Sequence, residues 1–260
     1  MIRRLNSIQE KNFERHAAIW LERRFSCNDI ERETVRLVIE TFYKKINTPL
    51  PNIVFLESPF GWNWEKDSEG YLTVFVDSLI FDKSLWKNFW EELVFRLDRK
   101  LSENLEEKIK LSLLKDLNEK LMIDFWLIII KKISLKFSWA LIDTLLRKQI
   151  GEKSLYSKIR QKIISKGLGF YLIDSLKMRV KELFEESLLN FYWIAFYEFS
   201  EKYLECKYDK EDSILLNIFS EIAYHCFLCW PFKNICVVSN WPIKISYVDQ
   251  KIIFKDGYFL

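Results

Sequence analysis

The sequence predicts an α+β protein that is mostly α, built of packed helices with a few short strands and a C-terminal β-hairpin. Three observations carry that reading. From residue 81 to residue 145 every fourth position is a large apolar side chain, seventeen in a row. At 49% hydrophobic content such a run has a chance probability on the order of 10⁻⁵. No Gly or Pro interrupts residues 71–150, and short β-branched stretches lie on either side of that region. Four residues of α-helix turn through about 400°, so the apolar stripe drifts by about 40° per tetrad. An apolar face somewhat wider than 100° accommodates only four or five tetrads, so the run must divide into several helices that pack on one another. A strand keeps a four-residue repeat in phase, which leaves a solenoid-like repeat with β content as the alternative. The Leu, Lys, Glu, Asn and Arg of residues 97–121 favour helices.

Taken in order, residues 1–47 predict two helices. Phe13, Ala17, Trp20, Leu21 and Phe25 mark the first. Val35, Leu37, Val38, Phe42 and Ile46 mark the second, after a capping Asn28 or Asp29. Thr48-Pro49-Leu50-Pro51 stops it. Residues 53–56 read as a buried strand, 62–70 as a polar aromatic loop and 71–76 as a second strand. Within the tetrad region the helix breaks are expected at Ser102, Asn118, Asp124 or Ser134, residues that cap helices. Shorter tetrad runs follow at Leu155, Ile159 and Ile163, and from Leu168 through Leu176, Val180, Phe184, Leu188 and Tyr192 to Phe196. Residues 213–227 predict a helix. Strands are expected at 235–238, 245–248 and 252–254, with Asp249-Gln250 turning the last pair. No section reads as independent, so residues 1–260 are expected to form a single domain: 1–80 N-terminal, 81–200 tetrad helices, 201–260 helix plus strands.

Composition excludes whole classes of function. With 30% charged residues, a net charge of +3 and 16% aromatics, the chain is neither disordered nor fibrous. Six Gly argue against dinucleotide and phosphate-loop folds, and two His remove most catalytic triads. The five Cys form an odd, scattered set, as expected of reduced thiols in the cytoplasm. No apolar core follows Arg3 and Arg4, so no secretory leader is expected. Pro231 and Pro242 interrupt the most apolar stretch, so no transmembrane segment is expected.

Two stretches resemble a known family. Asn52-Ile53-Val54-Phe55-Leu56-Glu57-Ser58-Pro59 is similar to a box of hydrophobic residues followed by Asp-Ser-Pro. The segment from Trp230-Pro231-Phe232 through Val237-Val238-Ser239-Asn240-Trp241-Pro242 is similar to a second box, Trp-Pro-Phe-x-x-Val-Cys-x-x-Ser-x-x-Pro. A degenerate Leu tetrad run joins the two boxes. The family is an uncharacterised bacterial domain of unknown function, number sixty-seven forty-five, whose members sometimes accompany leucine-rich repeats. Glu57 stands where the family has Asp, and the chain shows no His-Gly tail after Asp256-Gly257-Tyr258. The resemblance implies no activity.

Five groups of residues are candidates for chemistry. His225, Cys226, Cys229 and Cys236 have ligand types suited to tetrahedral zinc. The apolar Phe227-Leu228 spacer instead reads as core, so no cofactor is expected and zinc is the alternative. Glu57 and Ser58 stand where a strand runs into a loop, near Glu65, Asp67 and Glu69, a placement open to cation binding or acid–base work. Residues 147–166 hold Arg147, Lys148, Lys153, Lys158, Arg160, Lys162 and Lys166 against Glu152, a local charge of +6 that suits phosphates. Residues 179–221, at −5, are the simplest partner for that segment. Trp230 and Trp241, each before a proline, are binding candidates. Residues 190–197 are aromatic on all sides and read as core, with a partner groove as the sharper possibility. The function expected from these features is a non-catalytic binding or scaffolding protein with a protein partner. The alternatives are a nucleic-acid-associated protein using residues 147–166 and a hydrolase-like or metal-assisted enzyme centred on Glu57. Oligomeric state is not legible.

Overall fold

A computed structural model describes residues 2–24, 31–56, 71, 74–75, 78–79, 84–147, 169–240, 245–248, 251–254 and 258–259. The first helix, α1 (Ser7–Arg24), opens with a reciprocal cap. The Asn6 side-chain oxygen accepts from the N–H groups of Ile8 and Gln9 at 3.0 and 2.9 Å, and Gln9 Oε1 accepts from the Asn6 N–H at 3.0 Å. The second helix, α2 (Arg32–Lys45), stops where Asn47 turns left-handed (φ 51°). There the N–H groups of Asn47 and Thr48 reach back to Lys44 O and Tyr43 O, which satisfies carbonyls left open by the helix end. Strand β1 (Asn52–Leu56) follows.

One expectation is corrected next. Tyr71, Val74, Phe75, Ser78 and Leu79 are helical, not part of a strand. The β-branched and aromatic composition of residues 71–76 favours extended chain, but Phe75, Ser78 and Leu79 are all buried. Spacings of three and four place them on one helical face, whereas a strand would send Phe75 and Ser78 to opposite sides.

The tetrad region divides into α3 (Leu85–Asn104), α4 (Glu107–Lys120) and α5 (Ile123–Arg147). Every tetrad side chain described in these helices is buried or half-buried, from Leu85 through Leu101, Leu113 and Leu121 to Leu141. The breaks fall at Leu105–Glu106 and Leu121–Met122, not at the expected polar caps. At the first break Leu105 becomes extended, and Ile2 pairs beside it: the Ile2 N–H donates to Asn104 O at 2.7 Å and Ile2 O accepts from Glu106 N–H at 3.1 Å. At the second break Met122 turns left-handed (φ 52°) and its N–H donates to Glu119 O. In α5 the buried face runs through Ile123, Trp126, Ile130, Ile133, Phe137 and Leu141, a mean spacing near 3.6 that absorbs the drift of the tetrad.

Helix α6 (Gly169–Tyr203) has 35 residues, about 52 Å of rod. The third tetrad run lies along it, with Leu176, Val180, Phe184, Leu188 and Phe196 buried. Most of its C-terminal part is enclosed, because α1, α3, α4, α5 and α7 (Lys210–His225) pack against the helix. Residues 190–197 are thus mainly core, with Tyr192 and Trp193 half-buried.

The polar centre of this packing is Glu198, 5% exposed. Its carboxylate accepts from Trp20 Nε1 at 2.9 Å, Tyr224 OH at 3.0 Å and Lys202 Nζ at 2.5 Å, and His16 lies 3.8 Å away. The His16 ring bonds Ala195 O at 2.8 Å. Burial lowers the His16 pKa, against the opposing effects of that bond and of Glu198. Trp20 stacks on Tyr224 at 4.6 Å, so α1, α6 and α7 share one aromatic and ionic knot.

Two small sheets complete the described structure. Strands β1, β2 (Leu228–Pro231) and β3 (Ile235–Ser239) form one, in the order β1-β3-β2. β1 runs parallel to β3, pairing Asn52 with Ile235 and Leu56 with Ser239, and β2 runs antiparallel to β3. Strands β4 (Ile245–Val248), β5 (Lys251–Phe254) and β6 (Tyr258–Phe259) form the second, which contains the expected hairpin. The two sequence boxes are therefore neighbouring strands. Among the described residues, no helix is long and apolar enough to cross a membrane.

Candidate binding groove

A concave feature lies where α3 and the start of α4 meet the aromatic part of α6. It measures about 520 Å³ and is lined by Glu91, Val94, Phe95, Asp98, Arg99, Lys110, Trp193 and Tyr197. The tetrad determines which α3 residues point into it. Leu93 and Leu97 face the core, so Phe95, two positions from each, is turned outward and is 71% exposed. Glu91 and Arg99 precede and follow Phe95 by four residues and share its side of the helix.

Beneath Phe95 the wall is rigid. Trp193 stacks on Tyr197 at 5.9 Å with planes 22° apart, and it meets Tyr192 and Phe196 edge-on. Tyr192 OH donates to Leu114 O at 2.8 Å, which ties α6 to α4, and burial pushes the Tyr192 pKa up to about 12. The ionic part is closed on itself. Lys110, nearly buried, places Nζ 2.6 Å from Asp98 Oδ1, and Tyr197 OH donates to the same oxygen at 3.4 Å. Burial, reinforced by the Asp98 charge, raises the Tyr197 pKa well above its ordinary value, so the phenol stays a donor at neutral pH. An ion pair, a protonated phenol and two aromatic rings can recognise a ligand by shape, stacking and charge.

A second, narrower cleft of about 140 Å³ adjoins the groove through Glu91. Leu79, Ser84, Lys87, Arg179, Glu182, Leu183, Glu186 and Phe232 complete its lining. Burial raises the Glu186 pKa, although Lys87 lies 3.7 Å away.

Comparison with protein-family models, curated proteins and solved structures finds no match. The groove therefore has to be read from its own chemistry.

Among the described residues singled out in the sequence, those of the aromatic segment 190–197 reach the groove, through Trp193 and Tyr197. Glu57 and Ser58, one and two positions beyond the end of β1, are outside the described residues, and so are Lys148, Lys158, Arg160, Lys162 and Trp241. Arg147 is the last residue of α5. The proposed contact between the basic segment and residues 179–221 therefore also lies outside the described residues. Trp230 is 2% exposed and packs against Phe75, Phe137 and Phe184, so its ring serves the core rather than a surface contact.

The four zinc candidates do not form a site. Cys229 Sγ lies 3.6 Å from Cys236 Sγ between β2 and β3 and also meets Cys226, whose thiol donates to Ile222 O at 3.0 Å. His225 turns back one helical turn to Glu221 at 3.3 Å. Among the described residues no three His, Cys, Asp or Glu side chains are grouped to hold a metal. A hydrogen bond from Cys226 acts to lower the Cys229 pKa, but the bond to Cys236 and burial outweigh it and raise that thiol well above its ordinary value. These are core thiols, poor as ligands or nucleophiles while protonated.

Beside the aromatic segment 190–197, for which a partner groove was the sharper expectation, the sequence contained a second signal that its tetrads hid. Phe95 is an aromatic residue off the repeat, flanked at four residues on each side by opposite charges.

Proposed function

We propose that the protein is a binding or scaffolding protein that takes a protein partner in the groove between α3 and α6. The observation that supports this reading is Phe95, whose ring is largely in water above the half-buried Trp193, with charged side chains around both. Sealing one such ring under a partner is worth about 1.5–3 kcal/mol, and buried aromatics ringed by polar groups are the usual energetic centres of protein interfaces. The Lys110–Asp98–Tyr197 cluster is internally neutralised, so a partner covers it without having to supply a missing charge. The likeness of the two boxes to the uncharacterised family belongs to the same reading, since the boxes contribute paired strands of the supporting sheet and no groove residue.

Affinity capture from the native host with Phe95→Asp as bait tests this, with Met178→Asp as control. Met178 is an exposed apolar residue of α6 that does not line the groove. Proteins retained by the wild type and the control but lost with Phe95→Asp are expected. Identical retention by all three baits overturns the reading.

A further inference from the structure

The outward stripe of α3 is self-complementary, and we infer that the groove's partner is a second copy of this chain, docked antiparallel along α3. This inference rests on the binding reading of the groove and specifies its occupant. Glu91, Phe95 and Arg99 follow one another at four-residue steps, acid, aromatic, base. All three are exposed, and among the described residues neither Glu91 nor Arg99 enters an ion pair or hydrogen bond. Each charge stands about 6 Å along the axis from Phe95, in opposite directions. A two-fold axis at Phe95 that reverses the helix direction therefore sets Glu91 of each copy near Arg99 of the other, twice over, and lays one Phe95 ring against the other. A parallel arrangement would oppose like charges and is disfavoured.

The neighbouring chemistry fits such a contact. Asp98, three residues after Phe95, comes opposite Glu92 of the other copy, and its pairing with Lys110 offsets that like charge. Ser102, seven residues beyond Phe95, is small and exposed, which lets the two backbones approach. A single helical stripe with its groove buries less than the roughly 1,600 Å² of a standard interface, so the dimer is expected to be weak and reversible, half-formed at about 10–100 μM.

Sedimentation of the full chain across that concentration range is the test. The expected result is a rise from 31.6 kDa toward twice that mass. Glu91→Arg and Arg99→Glu are each expected to weaken association at least about tenfold, because each creates two like-charge contacts, and the double variant is expected to restore it. Phe95→Cys, placed on the axis, is expected to yield a disulfide-linked dimer under mild oxidation, the described native cysteines being buried. All of these positions are exposed, and unchanged thermal midpoints are expected to show the variants folded. Wild type that stays monomeric throughout overturns the inference, as does a double variant no better than the single ones. If the chain is monomeric while Phe95→Asp still loses captured proteins, the dimer is wrong and the groove reading stands.

Discussion

Glu198 shows how much one carboxylate can organise. Three donors from α1, α6 and α7 end on it, so removing it strands Trp20 Nε1 and Tyr224 OH together, while the half-exposed Lys202 ammonium turns to water. Glu198→Ala is expected to cost about 3–5 kcal/mol, the loss seen when one member of a buried charged cluster is deleted. Glu198→Gln keeps an acceptor and should cost less; urea midpoints of the two variants check the order. His16, beside the knot, adds a pH dependence whose sign is fixed. Its folded pKa lies below its ordinary 6.5, so the unfolded chain binds more protons between the two values. Its contribution is fully present above about pH 6.5 and is lost as pH falls toward the folded value. The stability difference between wild type and His16→Gln should therefore shrink from pH 7.5 to pH 5.5, and a constant difference would contradict the burial of a neutral ring. Glu186 has the opposite sign. Its raised pKa makes the ionised form unfavourable in the folded state at neutral pH, so Glu186→Gln is expected to raise the thermal midpoint at pH 7 and to lose that advantage below pH 4.5.

Among the elements, α3 separates core from surface within two residues. Leu97 is fully enclosed and Phe95 is largely in water. Leu97→Ala is expected to cost about 2–5 kcal/mol by leaving a cavity, and Phe95→Ala less than about 0.5 kcal/mol in the monomer. The same four-residue spacing that fills the core made this helix legible from its sequence. Helices α1 and α2, strands β1 and β3 and the β4–β5 hairpin were legible for similar reasons: their periodicities and stop signals are local. The helix breaks were not. Polar caps were expected at Ser102 and Asn118, but the breaks are made by the backbone of Ile2, a hundred residues away in sequence, and by a left-handed methionine. Met122 and Glu205 end helices with positive φ where glycine is the usual residue, so the sequence carries no punctuation there, whereas Asn47, also left-handed, stands directly before the Thr48-Pro49-Leu50-Pro51 stop. A non-glycine residue in that conformation is strained by about 1 kcal/mol. Met122→Gly should recover part of that and raise the melting temperature by about 2 °C, whereas a drop would show that the Met122 side chain contributes more than its backbone costs. Residues 71–79 misled for another reason: their strand-like composition yields to a core that needs Phe75 against Trp230 and Phe232.

For the molecule as a whole, the sequence indicated that the chain would fold around its tetrads and that its most aromatic segment would be core, and both follow from burial of apolar surface. Of the groove only the aromatic wall of residues 190–197 was legible, because a groove is a property of the space between α3, α4 and α6 rather than of any one of them. The Lys110–Asp98–Tyr197 cluster joins residues from three helices and has no sequence signature. The apolar runs of residues 53–56 and 235–238 were legible as strands, but their pairing as adjacent parallel strands was not. That pairing sets the order of assembly. β1 leaves the ribosome roughly 180 residues before β3, its hydrogen-bonding neighbour, and at 5–20 residues per second the wait is about 10–40 s. During that interval β1 has an open edge that nothing yet made by the ribosome in this sheet can close, so the newborn chain is more exposed to aggregation than its finished form. The last residues of this sheet to emerge, not the helices, then set when that edge closes.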